Sequence, residues 1–351
     1  QIRISERECE SYDCVSALAI TCILTCLMFA AVSGSGIATT FAIGAILIPA
    51  MVRHGYPTRF AASLQATSAE LGVIIPPSIP MILYGVSANV SIGELFIAGI
   101  GPGILVTSAL IITVVIWCKI KDYGIISDEP KVEVSRSIRR ASLALLMPVI
   151  ILGGIYGGVF TPTEASVVAV VYSLVVSVFL YKEMTTRDIA RCLHKTVIAT
   201  SSIMIIIAMV GLFSFLLTRE GIPNAIGVTI TEVFESKWTF LLAVNMVLFF
   251  VGMFLDAAPT IIVLAPILAP VAERFGIDPV QFGIIMVVNL ALGMITPPFG
   301  VNLFAASSVA DISVHKLIRP LLVFISVIIT CLMIITYVPE VSLFLRDLVY
   351  R

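Results

Sequence analysis

ELGVIIPPSIPMILYG, residues 70–85, sets Pro76 and Pro77 side by side inside an otherwise apolar run. Proline has no amide hydrogen, and its ring collides with the carbonyl one turn back, so a helix breaks at such a pair. In water the freed backbone groups find solvent. In hydrocarbon they need partners inside the protein. Which solvent surrounds this stretch therefore decides how the whole chain is read.

Composition answers first. The 351 residues are 59% hydrophobic and 12% charged, with a mean hydropathy of +1.10. A soluble domain carries about 25% charged residues, and apolar stretches of roughly 17 residues or more, enough to cross a bilayer, recur along the chain. The fold class expected is an all-α polytopic membrane protein. Seven cysteines are scattered without a CxxC pair or a zinc-like grouping, so they read as small apolar side chains packed in helices. The polar start QIRISERECESYD is not a signal peptide.

Residues 14–52 hold two apolar arms joined only by SGSG, and residues 238–272 repeat this around FLDAAP. Two full spans normally meet in a polar surface loop. So small a turn, with at most one charge, fits a re-entrant helical hairpin whose tip lies buried in protein. An internal repeat supports the pairing: a gapless shift of 221 lays 39–77 on 260–298 with 11 identities in 39 positions. Pro49 meets Pro270, Arg53 meets Arg274, Gly55 meets Gly276, and LGVIIPP falls on LGMITPP. Two Pro-Pro broken helices are therefore expected, each after its own hairpin.

A hairpin at 14–52 begins and ends on one side, X, and the broken helix 60–88 carries the chain to side Y. Spans at 95–118, 141–160, 163–181 and 196–217 return it to Y, where the second hairpin opens, so the repeats are inverted. Side X holds most of the basic residues, from Arg53 and Arg59 through Lys119–Arg140 to Lys195, Lys316 and Arg319. By the positive-inside rule X is cytoplasmic, which puts the C-terminus on the periplasmic side.

A helix interrupted at mid-membrane leaves carbonyls and amides unpaired and aims half-helix dipoles into the gap. Such a gap can hold a small cation on carbonyls and a carboxylate at a half-helix N-terminus. The candidate ligand residues are Ser33, Gly34, Ser35, Gly36 and Thr39 at the first tip, and Asp256, Pro259 and Thr260 at the second. From the breaks come Pro76, Pro77, Thr296, Pro297, Pro298, Gly300 and Asn302. Hard oxygen ligands suit Na⁺, with Ser35, Asp256 and Thr296 favoured. Asp256, lying on Ser35 in the repeat, has two open readings: a helix cap, or an ion ligand whose burial demands a cation. Thr296 and Asn302 serve equally well by tying up freed backbone groups. Glu70, one turn before the first break, reads as a water-lined helix end, with an orienting or proton-coupled role as the alternative, and Thr161 with Glu164 as a capping box.

Catalytic groups are not expected. His54, His194 and His315 all fall in side-X loops, and no GxSxG, HExxH or GxxxxGK[ST] occurs. The basic-apolar alternation at 185–197 fits a helix lying along the cytoplasmic interface.

SGSGIATTFAIGAILIPAM, LGVIIPPSIPMILYG, GGIYGGVFTPTEASVVAVVY, FLDAAPTIIVLAPILAPVA and DPVQFGIIMVVNLALGMITPPFGVNLFAAS together resemble the DctM-type large membrane subunit of TRAP (tripartite ATP-independent periplasmic) transporters. The likeness runs from about residue 14 to 340. SGSG departs from the more usual SGSS, and the family's further helices before the first hairpin have no counterpart here, so residues 1–13 read as divergent or truncated. The resemblance implies a sodium-driven importer of organic acids in a bacterial or archaeal inner membrane, with no cofactor beyond the coupling ion. Its partners would be a small membrane subunit and a periplasmic substrate-binding protein that delivers a carboxylate. It also implies an elevator fold. On that scheme 14–90 and 236–312 are transport-domain repeats, and 91–235 is scaffold, with a cytoplasmic loop at 119–140 and an interfacial helix at 185–195. Residues 313–351 are the last transmembrane helix and tail.

The runner-up is a stand-alone sodium–dicarboxylate symporter of the same architecture, which would need no soluble partner. A membrane enzyme would want a nucleophile and base, or a metal cluster, at mid-depth. A channel would not want hairpins opening from opposite sides.

Overall fold

A computed structural model describes residues 16–124, 134–182, 184–221 and 236–350, with 230, 233 and 234. The polar start at 1–13 and the centre of the loop expected at 119–140 lie outside the described residues. Those described are helices and short connections. A hairpin of α1 (Ala17–Ser33) and α2 (Gly36–Arg53) leads to a broken helix made of α3 (Thr58–Ala69), one turn α4 (Leu71–Ile74) and α5 (Ile79–Ala88). The long α6 (Ile92–Lys121) follows, then α7 (Val134–Tyr156), α8 (Pro162–Val175, widening at Val176–Leu180) and α9 (Thr186–Arg219). A second hairpin, α10 (Lys237–Gly252) and α11 (Ala257–Arg274), precedes a second broken helix, α12 (Pro279–Met294) and α13 (Val301–Ala310). α14 (Val314–Tyr337) and α15 (Glu340–Tyr350) complete the chain described. Among the described residues, seven helices are long and apolar enough to cross a membrane, the broken helix Thr58–Ala88 counting as one.

The shift of 221 is visible in the backbone. α2 and α11 are both 18 residues long and start and stop in register, Gly36 on Ala257 and Arg53 on Arg274. The glycines after them, Gly55 and Gly276, both take positive φ, a left-handed turn that side chains disfavour. α3 and α12 begin in register at Thr58 and Pro279, and the peptide bonds Pro76–Pro77 and Pro297–Pro298 are both cis. Packing is reciprocal: α2 lies on α13, and α11 lies on α5. Each hairpin thus leans on the broken helix of the other repeat, as two units related by a twofold do.

The core sits around α3 and α12. Every residue from Phe60 to Ala69 is buried, and so is every residue from Val280 to Met294. A helix buried all round must pair its polar side chains internally, and α3 largely does. Ser63 donates to Arg59 O and Leu317 O, Thr67 to Ser63 O, and Gln65 bonds Cys22, Cys26 and Thr39 O. α6 and α14 occupy matching positions after the two broken helices and pack together. Between them Phe60 meets Trp117, Tyr123 and Phe324 at ring separations of 5.5–6.0 Å. At the opposite end of the body α15 lies along α6, and Arg346 bonds Asp278, the cap of α12, at 2.7 Å.

α7, α8 and α9 are separate from this body. α7 packs on α8 and touches α1, while α9 touches α11. The segment 185–195 is the start of α9, which runs unbroken for 34 residues. At ~1.5 Å per residue that is about 50 Å, longer than a hydrocarbon core of ~30 Å. Two of the three histidines placed in loops are helical: His194 lies inside α9 and His315 in the first turn of α14. Helix propensity overrode the loop reading because polar residues at a helix end can extend beyond the bilayer.

Gly252 and Gly293 mark a close helix approach in the second repeat. A Cβ on Gly293 would stand 2.5 Å from the carbonyl carbon of Gly252, whereas one on Gly153 in α7 would meet nothing within 4 Å. Gly293→Ala therefore overpacks backbone against backbone, at a cost of at least ~1 kcal/mol. Its thermal unfolding midpoint should fall by several degrees, while Gly153→Ala should leave the midpoint unchanged or raise it.

Candidate functional site

The two tips are built alike. Ser35 caps α2, its side chain accepting from Ala38 N, and Asp256 caps α11, accepting from Ala257 N at 2.7 Å. Thr39 Oγ1 donates to Ser35 O at 2.8 Å, and Thr260 Oγ1 to Asp256 O at 2.7 Å, the same bond in both repeats. Ser33 Oγ lies 3.0 Å from Thr39 Oγ1, so the first tip's hydroxyls form one cluster. Gly34 sits at φ +60°, and a Cβ there would stand 2.8 Å from Pro77 O.

The breaks are closed differently. At the first, Gly34 O accepts from Ile79 N at 3.3 Å, and Ser78 Oγ donates to Val73 O. The hairpin tip itself thus satisfies the broken helix. At the second, Thr296 Oγ1 donates to Leu292 O at 2.7 Å, and Gly300 N to Thr296 O at 3.2 Å. That break curls onto itself, and its link to the tip is a ring contact, Phe254 to Phe299 at 5.5 Å.

Both tips open on one cavity of about 180 Å³, roughly the volume of six waters. Gly34–Ile37 form one wall and Asp256–Ala258 another, with Val73, Ile79, Pro80 and Met294 between them and Ile203 of α9 closing the side. Three helices begin at this cavity: α2, α5 and α11. Their N-termini carry partial positive charge and amides without intrahelical acceptors. The capping side chains take Ala38 N, Met81 N and Ala257 N, and the first-turn residues Gly36, Ile37 and Ala258 are also in the lining. Asp256, exposed, is the single ionisable side chain in the lining. This arrangement offers an anion three helix ends and a cation one carboxylate.

Of the sequence candidates, Gly34, Ser35, Gly36 and Asp256 line the cavity. Ser33, Thr39, Pro76 and Pro77 lie at or beneath the first tip, and Pro259 and Thr260 in the first turn of α11. Thr296, Pro297, Pro298, Gly300 and Asn302 are not in its lining. Asn302 is fully buried, its amide donating to Glu70 Oε1 at 2.7 Å and Ala66 O at 3.1 Å and accepting from Thr40 Oγ1 at 2.5 Å. Glu70 corrects an expectation: it is 1% exposed, not water-lined, because Asn302 from a distant segment covers it. Sequence reasoning missed Ile203, which only packing brings here. It also passed over the start of α5, where Ser78 and Pro80 spell a cap followed by an early proline. Among the described residues no group of three or more His, Cys, Asp or Glu could hold a metal ion.

The cap and the charge of Asp256 can be separated. Asp256→Asn keeps an oxygen for Ala257 N and should leave the unfolding midpoint in potassium unchanged. Asp256→Ala removes the cap and should cost ~1 kcal/mol, visible as a lower midpoint in the same buffer.

Comparison with known proteins agrees with this architecture. Residues 14–341 match the family described as "Tripartite ATP-independent periplasmic transporter, DctM component". The C4-dicarboxylate TRAP transporter large permease protein DctM of Pseudomonas aeruginosa is 44% identical over 330 residues, covering 94% of this chain and 77% of that protein. The isethionate TRAP transporter permease protein DctMQ of Oleidesulfovibrio alaskensis is 41% identical, covering 93% of this chain and 52% of that protein. The ectoine TRAP transporter large permease protein TeaC of Halomonas elongata is 37% identical, covering 95% and 78%. With a family match across nearly its whole length and relatives above 40% identity, the chain belongs to the DctM family of TRAP transporter large permease subunits.

Proposed function

We propose that this chain is the permease subunit of a sodium-driven importer of an organic acid, and that the acid binds in the cavity between the two hairpin tips. The observation that carries the reading is the convergence of three helix N-termini on one small cavity. Helix N-termini attract carboxylates through their amides and dipoles. The lining holds no Lys or Arg, so backbone amides and the Ser35 hydroxyl do the recognising. The coupling Na⁺ is held by oxygens of the same tips, with Ser35 and Asp256 as ligands; Thr296, the third residue favoured by the sequence, lies outside this lining with its hydroxyl on Leu292 O. The sodium charge offsets the repulsion between Asp256 and an arriving anion. The names of the relatives, which span a C4-dicarboxylate, isethionate and ectoine, favour a small polar solute with an acidic group.

Transport follows from the division of the fold. The hairpins enter the membrane from opposite sides and meet at mid-depth. The body of α1–α6 and α10–α15 moves against α7–α9 as an elevator, carrying the cavity from the periplasmic to the cytoplasmic face. The packing supports drawing this boundary after α6 rather than at residue 91, since α6 is held by α12, α14 and α15. The C-terminal helix α15 then stays on the periplasmic side and travels with the moving body. Substrate arrives on a periplasmic binding protein, and a small membrane subunit braces α7–α9.

A complex of this chain with its small subunit should unfold at a higher temperature in Na⁺ than in K⁺ at equal ionic strength. A site filled to about 100 times its dissociation constant adds ~2.7 kcal/mol. Asp256→Asn should shrink that increment while keeping the potassium midpoint, and an equal increment in the variant would remove Asp256 from the ion site. Uptake into vesicles without any binding protein would favour the stand-alone symporter instead.

A further inference from the structure

The two repeats share a backbone but not a polar interior. Where α2 crosses α13, three side chains from three helices are joined: Thr40 on α2, Asn302 on α13, and Glu70 at the junction of α3 and α4. One repeat away, where α11 crosses α5, the corresponding positions are Ile261, Met81 and Ala291, all apolar and all buried. Hydrophobic packing alone therefore suffices to hold that crossing. The polar version adds a second feature. Glu70 Oε2 is buried without a hydrogen-bond partner, and a Cβ on Gly36 would stand 3.2 Å from it. Gly36 is the first residue of α2 and part of the cavity wall.

We infer that Glu70 is a positioning residue: through Asn302 and Thr40 it fixes the first two turns of α2, and with them the first hairpin tip, against the second repeat's broken helix. The strut ties one wall of the cavity to α13, which lies outside that cavity. Displacing α13 therefore displaces tip one, and tip two has no equivalent linkage. The consequence for transport rests on the reading of the cavity as the solute site, but tip position can be read without sodium or substrate.

The test uses the complex of this chain with its small subunit and two reporter cysteines, Ile37→Cys on the first tip and Ala258→Cys on the second. Their maleimide labelling rates are followed by site-resolved mass spectrometry. Glu70→Ala and Asn302→Ala should each raise labelling at Ile37→Cys at least fivefold and change Ala258→Cys less than twofold. The double variant should be no faster than either single one, because both remove the same link. Glu70→Gln keeps the oxygen that accepts from Asn302 and should return labelling to within twofold of the parent. Met81→Ala, at the apolar counterpart, should lower the unfolding midpoint without moving either rate. Should Glu70→Ala not fold, Thr40→Val removes one edge of the strut with little change of shape and should raise the Ile37→Cys rate threefold or more. Unchanged rates at Ile37→Cys, a parallel rise at both reporters, or failure of Glu70→Gln to restore the parent rate would overturn the proposal. A missing sodium response in the parent would fall on the coupling ion and leave the strut standing.

Discussion

Everything in this fold depends on how two interrupted helices satisfy their backbones where water is absent. Each Pro-Pro pair removes two amide donors and turns the chain out of helical register, and each resulting gap would be costly if left open in hydrocarbon. The first gap is closed by a hairpin tip, through Gly34 O and Ile79 N, and the second closes on its own turn through Thr296 and Gly300. Closing the first gap requires a tip at the break, and a tip at the break puts a helix N-terminus there. The cavity between the tips is thus a by-product of the same geometry that makes the broken helices tolerable.

Duplication then supplies the rest. A single hairpin with its broken helix would leave one face of each uncovered. Two copies cover one another, α2 on α13 and α11 on α5, and bury α3 and α12 at the centre. The copies have diverged where the chemistry differs. Ser35 and Asp256 occupy one register position as a neutral and an acidic cap. Glu70, Asn302 and Thr40 stand opposite an apolar trio. A repeated backbone with an asymmetric interior gives two tips that need not respond alike.

Much of this was legible in the residues. Prolines and glycines impose backbone geometry locally, so the shift of 221 that aligns them also predicts helix bounds, and α2 and α11 obey it at both ends. Caps are local too: Asp256 and the Thr161–Glu164 box behave as their neighbours in sequence require. What sequence could not supply were contacts between distant segments. Glu70 looked like a wet helix end because its partner Asn302 lies 232 residues away. Ile203 is one apolar residue among many on α9 until packing sets it beside the tips. The packing of α6 on α12, α14 and α15 was hidden for the same reason, since hydropathy marks a span without saying what it packs against.

The proposed motion is that of a rigid pair of repeats, carrying one cavity, against α7–α9. Spin labels at Ser166 on α8 and Ser326 on α14, both exposed, report across that boundary. Labels at Ser308 on α13 and Ser326 report within the moving body. Pulsed dipolar distances in lipid nanodiscs, with and without sodium, test the claim directly. Such a motion gives a Ser166–Ser326 distribution that shifts or splits by several ångströms while Ser308–Ser326 keeps a single unchanged distance. A Ser308–Ser326 distance that changes with sodium, or a Ser166–Ser326 distance that never moves, would contradict it.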